Sequence, residues 1–141
     1  MNIRYENESS TDVMTGGPDK RRQLYYQLIA SMKKAESVDI IVSFLMESGV
    51  KMLLKELENT LKRGAKIRIL TGNYLGITQP SALYLIKRKL GDRVDLRFYC
   101  EKGRSFHPKS YIFHYANHSE LYIGSSNISK SALTSGIEWN Y

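Results

Sequence analysis

The chain has 141 residues, a formal net charge of +7 at pH 7 and one cysteine, Cys100. This length suits one domain with one hydrophobic core, and a single cysteine excludes an internal disulfide framework. No apolar run approaches the roughly 20 residues of a membrane-spanning helix, and the polar N-terminus lacks the apolar segment of a signal peptide. We therefore expect a cytoplasmic protein with no membrane partner.

The N-terminus differs in pattern from the rest of the chain. Residues 1–17 show no hydrophobic periodicity and are predicted to form a tail or loop. Pro18 suits the first position of a helix, and periodic apolar residues follow it. We predict a single domain over residues 18–141. The sequence stops within a strand-like run at residues 137–140, which leaves open whether it is a fragment of a longer chain.

Helix and strand patterns alternate over the first hundred residues. Apolar residues at helical spacing predict three helices, and continuous or alternating apolar runs predict three strands. In chain order these are a helix to about Glu36, a strand at 38–44, a helix over 50–61, a strand at 67–71, a helix ending at Gly91 and a strand at 94–99. This order predicts an α/β fold with a mixed, largely parallel sheet flanked by helices on both faces.

The last forty residues predict a different arrangement, a C-terminal antiparallel hairpin. Residues 112–114 return as residues 121–123 across a turn at 115–118. A short helix starting near Ser129 and a final strand around 137–140 complete the predicted domain.

The hairpin register brings several polar groups together. His107 and Lys109 are two residues apart on a predicted strand, so their side chains share a face. The predicted turn places His107 opposite Ser126 and Lys109 opposite Gly124, with opposed Cβ atoms about 5 Å apart. The segment Gly124-Ser125-Ser126-Asn127 therefore lies against both. An imidazole can act as a nucleophile or proton carrier, and an ammonium and an amide can donate to phosphate oxygens.

Two further features bear on the ligand. Between Lys87 and Lys109 there are eight basic residues against three acidic ones, which favours a polyanion such as nucleic acid, although a solvated basic face is an equal alternative. His114 and His118 could bind a metal, but carboxylates at ligand spacing are missing and Cys100 is alone. We therefore predict no metal and no cofactor.

These residues resemble a known signature. His107-x-Lys109, then Gly124-Ser125-x-Asn127, Ser131-Ala132-Leu133 and Glu138, resemble the phospholipase D superfamily motif (the HKD motif), most closely in its nuclease branch. The run GSSNISKSALTSGIEWN is similar to the phospholipase D-like N-terminal domains of bacterial restriction-associated helicase-like proteins. The specific similarity covers only residues 106–140.

The resemblance implies a metal-independent phosphodiesterase. His107 would attack phosphorus to form a covalent phosphohistidine, and a second histidine would protonate the leaving oxygen. Lys109 and Asn127 would hold the non-bridging oxygens with support from Ser125. Glu138 would accept from the other imidazole nitrogen and orient His107.

The resemblance also implies a substrate and an assembly. The substrate would be DNA, cleaved by an endonuclease domain of a restriction-type or helicase-linked protein. Gly124, Ser126 and the basic residues Arg104 and Lys102 are expected to contact it. The family's site needs two copies of the motif and this chain has one, so we expect a homodimer with a shared active site.

One departure from the family pattern supports other hypotheses. His114 stands where the family has an aspartate, and in a regular strand it would face away from His107. The altered site favours, as an alternative, a non-catalytic module that binds DNA or dimerises. A lipid phosphodiesterase is a further alternative, although the sequence shows no amphipathic membrane-binding helix.

Overall fold

The computed structural model describes residues 13–141, which form one mixed five-stranded sheet with helices packed against it. The helices are α1 (Leu24–Met32), α2 (Glu47–Lys62), α3 (Pro80–Leu90) and α4 (Lys130–Leu133). The strands are β1 (Ser37–Val42), β2 (Lys66–Thr71), β3 (Val94–Phe98), β4 (Lys109–His114) and β5 (Ser119–Ile123). Short 3₁₀ turns occur at Lys20–Arg22, Tyr74–Gly76 and Gly91–Arg93.

The strand order is β3-β2-β1-β4-β5. β1 pairs in parallel with β2, and β2 with β3, whereas β4 pairs antiparallel with both β1 and β5. The mixed α/β sheet is therefore confirmed, with two parallel and two antiparallel pairings. In the hairpin His114 pairs with Ser119 and Ser110 with Ile123, which is the predicted register. The strand itself begins at Lys109, so His107 precedes it instead of lying on it.

The described helices pack on one face of the sheet, not on both as predicted. Buried residues of β1 (Val38, Ile40 and Val42) share one core with residues of the helices. The reason is the strand order. The crossovers through α2 and α3 both step from β1 towards β3, and right-handed crossovers in one direction place their helices on one side. Within residues 13–141 the other face carries half-exposed and exposed side chains such as those of Asp39 and Arg68.

The C-terminal residues form backbone bridges instead of a regular final strand. The Ser125 N–H donates to the Trp139 carbonyl at 2.9 Å, and the Asn140 N–H donates to the Met14 carbonyl at 3.1 Å. Met14 is buried in the core. Residues 138–141 thus lie between β5 and the chain near Met14, and the described part of the predicted tail belongs to the packed domain. Residues 1–12 of that prediction lie outside the described residues.

The start of α2 is held against the loop that precedes α4. Leu45 forms a parallel bridge with Ile128, and the Met46 N–H donates to the Ile128 carbonyl at 2.9 Å. Gly49 allows this approach, because a Cβ on it would lie 2.5 Å from the Ile128 carbonyl carbon. This contact fixes the segment after β5 beside the end of β1. None of the helices described is long and apolar enough to cross a membrane.

Candidate active site

The polar residues meet at the edge of the sheet where the parallel strands end. Ser43, Gly72 and Tyr99 follow β1, β2 and β3 at this edge, and the antiparallel β4 begins there with Lys109. Open α/β sheets place their ligands outside the carboxyl ends of their strands, because loops with free backbone groups converge there.

His107 and Lys109 are in direct contact. His107 is exposed, whereas Lys109 retains only 8% of its accessible surface. The lysine Nζ donates to the His107 carbonyl at 3.0 Å and lies 2.8 Å from the imidazole Nε2, which accepts in the matching tautomer. Burial lowers the pKa of Lys109, and the negative charge of Glu138 partly opposes that shift. Among the salt bridges of residues 13–141, none includes Lys109.

Asn127 ties the segment after β5 to the segment after β1. Its side chain is 5% exposed, and Oδ1 accepts from the Ser43 N–H at 2.9 Å and the Phe44 N–H at 3.2 Å. The Ser43 hydroxyl in turn donates to the Pro108 carbonyl at 3.2 Å, next to Lys109. With its oxygen occupied, the Asn127 side chain has the amide nitrogen left as a donor.

Ser125 and Glu138 form a pair at the outer side of the site. The Ser125 hydroxyl donates to Glu138 Oε2 and accepts from the Trp139 N–H at 2.9 Å. In the described part of the chain no hydrogen bond joins Glu138 to His107, whose Nε2 contacts Lys109 instead. The expected orientation of His107 by Glu138 is therefore absent from this arrangement, and Glu138 acts on the site through its charge near Lys109.

Ser126 and Gly124 were expected to contact substrate, but both make contacts within the domain. Ser126 is fully buried; its hydroxyl donates to the Ala132 carbonyl at 3.0 Å and accepts from Asn140 Nδ2 at 2.8 Å. Gly124 is required by packing, because a Cβ there would lie 2.0 Å from the Trp139 carbonyl oxygen. The hairpin register alone did not predict these contacts, because Asn140 and Trp139 belong to the C-terminal bridges and not to the hairpin.

The basic run divides between two edges of the sheet. Lys102 and Arg104 follow β3 and line a groove at the same edge as His107, with Arg104 3.5 Å from Glu101. The basic residues at the end of α3 (Lys87, Arg88 and Lys89) lie at the opposite edge, where β3 begins. Strands of five residues separate the two groups by about 16 Å. Adjacency in sequence thus overstated the charge at the site.

His114 lies on the sheet face opposite Lys109. The sequence predicted that it would face away from His107, which precedes the strand. Its Nε2 is 3.0 Å from Asp39 Oδ2 and its Nδ1 is 2.9 Å from the Ser119 hydroxyl. Asp39 also accepts two hydrogen bonds from Arg68, at 2.6 and 2.7 Å, and these hydrogen bonds are the main reason that the Asp39 pKa is lowered. His114 is therefore part of a charged network on the face that the described helices leave uncovered.

An aromatic side chain lies beside the histidine. The Tyr74 ring lies over the His107 imidazole, with 4.3 Å between centroids and 45° between planes. The position of Tyr74 after a buried strand was the available signal, since such loops meet at the ligand edge. Ser43 was missed, although it occupies the same position after β1.

No group of three or more histidine, cysteine, aspartate or glutamate side chains within residues 13–141 is arranged to hold a metal ion. His118, one of the two histidines considered as ligands, stacks on the Tyr115 ring with 4.6 Å between centroids. The other, His114, is bonded to Asp39 and Ser119.

The fold and site define a mixed α/β domain with a histidine–lysine pair at the ligand edge of its sheet. A family model described as "Cardiolipin synthase, PLD-like domain" matches residues 26–141. The chain therefore belongs to the phospholipase D-like family. No curated protein sequence matches it.

Three solved structures show the same fold at low sequence identity. NucT from Helicobacter pylori is 17% identical with a TM-score of 0.60; the match covers 91% of this chain and 79% of NucT. Polyphosphate kinase from Porphyromonas gingivalis is 15% identical with a TM-score of 0.64, over 92% of this chain and 19% of the kinase. TrmBL2, an archaeal chromatin protein, is 16% identical with a TM-score of 0.52, over 91% of this chain and 43% of TrmBL2.

Asn127→Ala is expected to destabilise the domain, because it leaves the Ser43 and Phe44 N–H groups without their acceptor. Each buried donor left unpaired costs about 1–3 kcal/mol. Asn117→Ala is the matched control: the residue is exposed in the turn between β4 and β5, and a surface change of this kind is usually within about 0.5 kcal/mol. Urea unfolding of both variants measures the difference, and equal midpoints would refute the role assigned to Asn127.

Proposed function

We propose that the protein is a metal-independent phosphodiesterase that cleaves DNA through a covalent phosphohistidine. One observation carries the proposal: the buried Lys109 ammonium lies 2.8 Å from the exposed His107 Nε2 and has no carboxylate partner within salt-bridge distance in the described chain. A buried positive charge is costly unless an anion or strong acceptors compensate it. A phosphodiester would supply that anion next to a nucleophilic nitrogen.

The proposed reaction proceeds in two displacements. Lys109 Nζ turns from His107 Nε2 to a phosphate oxygen, which frees the Nε2 lone pair. Nε2 then attacks phosphorus, the P–N bond forms, and the P–O bond to the leaving group breaks. The leaving oxygen takes a proton from a second histidine. That histidine then takes a proton from water as the water oxygen attacks phosphorus, and the P–N bond breaks to release the phosphate product and regenerate the His107 imidazole. Lys109 and the Asn127 amide nitrogen would hold the non-bridging oxygens, with Ser125 supporting them.

The second histidine is proposed to come from another copy of the chain. A symmetric dimer would place two His107 side chains across one phosphate, one as nucleophile and one as acid. The exposure of His107 supports this arrangement, because a side chain already enclosed by its own domain could not meet its counterpart.

DNA is the proposed substrate because the chain is positively charged and because it is similar to proteins linked to DNA. The chain carries +7 overall, and Lys102 and Arg104 lie beside the site. TrmBL2, a structural neighbour, is described as showing a novel mode of DNA binding. The likeness of residues 124–140 to restriction-associated helicase-like proteins supports a nuclease domain linked to such a protein.

The main test is cleavage of plasmid DNA in EDTA. Wild-type protein is expected to cleave, and His107→Ala, which removes both nucleophile and acid in a symmetric dimer, should lower the rate by at least about 10⁴-fold. His118→Ala, in an exposed turn, is the control and should cleave normally. DNA binding without cleavage under any condition would support the non-catalytic module instead, and choline release from phosphatidylcholine would support a lipid enzyme.

The pH dependence tests the electrostatic role of Glu138. Activity should fall at alkaline pH as Lys109 loses its proton, at a lower pH than for an ordinary lysine because burial lowers the pKa of Lys109. Glu138 opposes that shift, so Glu138→Gln should lower the pKa further and move the alkaline limb of kcat/KM to lower pH. Glu58→Gln, on the exposed side of α2, should leave the limb unchanged. An unshifted limb in Glu138→Gln would refute this coupling.

The proposed shared site predicts a dimer in solution and inhibition of the wild-type protein by an inactive variant. Sedimentation should show a dimer, and specific activity should rise with the dimer fraction on concentration. Excess His107→Ala protein should inhibit the wild type beyond simple dilution, because mixed dimers hold one histidine where two are needed. Full activity of a strict monomer would rule out the shared site.

A further inference from the structure

We propose that a groove of aromatic side chains beside His107 binds a nucleobase, so that the substrate is single-stranded or locally unpaired DNA. This inference rests on the proposed function, because it assumes that the phosphate at Lys109 belongs to a nucleic acid. The groove lies between the loops that follow β2 and β3 and encloses about 440 Å³.

Two ring contacts form the groove and join it to the site. The Tyr74 ring lies 4.3 Å from the imidazole of His107. Tyr99 and Phe106 stack with 4.7 Å between centroids and 21° between planes. Phe98 also lines the groove and is 44% exposed. Aromatic surface therefore continues from the attacking nitrogen into the groove.

The loops hold these rings in fixed positions. The Tyr99 N–H donates to the Thr71 carbonyl at 2.7 Å, which joins the two loops. Gly72 allows Phe106 to pack against the backbone, because a Cβ there would lie 3.0 Å from Phe106 Cδ1. At the groove rim Leu75 has φ 52° and ψ 23° and is 78% exposed. A leucine held in the left-handed region is strained, and such strain concentrates at functional sites.

The chemistry of the lining suits a base next to a phosphate. Aromatic rings stack on any base, and the exposed cations Lys102 and Arg104 suit the neighbouring phosphates. In a duplex the bases are stacked inside the helix, so a base can enter a groove beside the scissile phosphate only when it is unpaired or turned out. The contact between Tyr74 and His107 thus favours a strand whose bases are free.

Binding of two charge-matched oligonucleotides separates base stacking from phosphate attraction. The probes are fluorescein-labelled dT12 and an abasic 12-mer with the same number of phosphates, measured by anisotropy at one salt concentration. All proteins carry His107→Asn, so that the DNA stays intact. Tyr74→Leu removes the ring, Tyr74→Phe keeps it, and Tyr84→Leu changes a tyrosine on α3 that is 74% exposed and does not line the groove.

With Tyr74 present, dT12 should bind more tightly than the abasic probe. Tyr74→Leu should weaken dT12 binding roughly 5- to 150-fold, the range for one base stack, and leave abasic binding unchanged. Tyr74→Phe and Tyr84→Leu should keep the preference. Equal affinity for the two probes, or equal weakening of both by Tyr74→Leu, would overturn the groove proposal. Neither result depends on cleavage, so the EDTA assay judges the nuclease proposal separately.

Discussion

The candidate site depends on the carboxamide of Asn127. One side-chain oxygen accepts from two consecutive N–H groups, those of Ser43 and Phe44, where β1 ends. The two segments are more than eighty residues apart in sequence, and β4 pairs with β1 at the same edge. The position of Lys109 relative to the segment after β5 is therefore set through this contact and the hairpin together. An aspartate could accept as well, but it would bring a negative charge and no donor to a site proposed for a phosphate.

Charge is compensated unequally on the two faces of the sheet. On the face away from the helices, Asp39 accepts from Arg68 and contacts His114, so its charge is paired. On the helix side, Lys109 is nearly buried and its partners are the ring and carbonyl of His107, which are neutral acceptors in the matching tautomer. Such a charge is poorly compensated within its own domain, and burial accordingly lowers the pKa of Lys109. The difference is that Asp39 has a salt-bridge partner, whereas in the described chain Lys109 has none and is opposed only by the more distant charge of Glu138.

The sequence was sufficient for relations that are local or set by pairing. The hairpin register followed from the turn. Spacing along the chain predicted a shared face for His107 and Lys109, although not their direct contact, and it placed His114 on the other face. The sequence did not predict features of the fold that depend on the order of the strands in the sheet. Whether helices cover one face or two depends on the direction of the crossovers, which hydrophobic periodicity does not encode. The split of the basic run between two edges has a different cause, since β3 crosses the sheet between the two groups, and the sequence did predict that strand.

The backbone bridges of the C-terminal residues explain why Ser126 and Gly124 do not lie open to a substrate as expected. The hairpin places Ser126 opposite His107, but Asn140 and the Ala132 carbonyl occupy its hydroxyl. Gly124 was expected to leave room for substrate, and the Trp139 carbonyl fills that room. Both contacts join segments that follow the hairpin, and neither has a signature in composition or spacing. Single-sequence patterns thus find the histidine and lysine of the candidate site more readily than the residues packed behind them.

The pattern of burial within the site bears on how it would work. Lys109 and Asn127 are buried, while His107 is exposed and covered on one side by the Tyr74 ring. Groups that hold a phosphate benefit from rigid, desolvated positions, because their charges then act at low dielectric without reorganisation. A nucleophile that must meet both a substrate and a second histidine has to remain at the surface. On the proposed mechanism, one chain supplies a rigid half of a phosphate site, and the exposed imidazole is the part that a second copy would enclose.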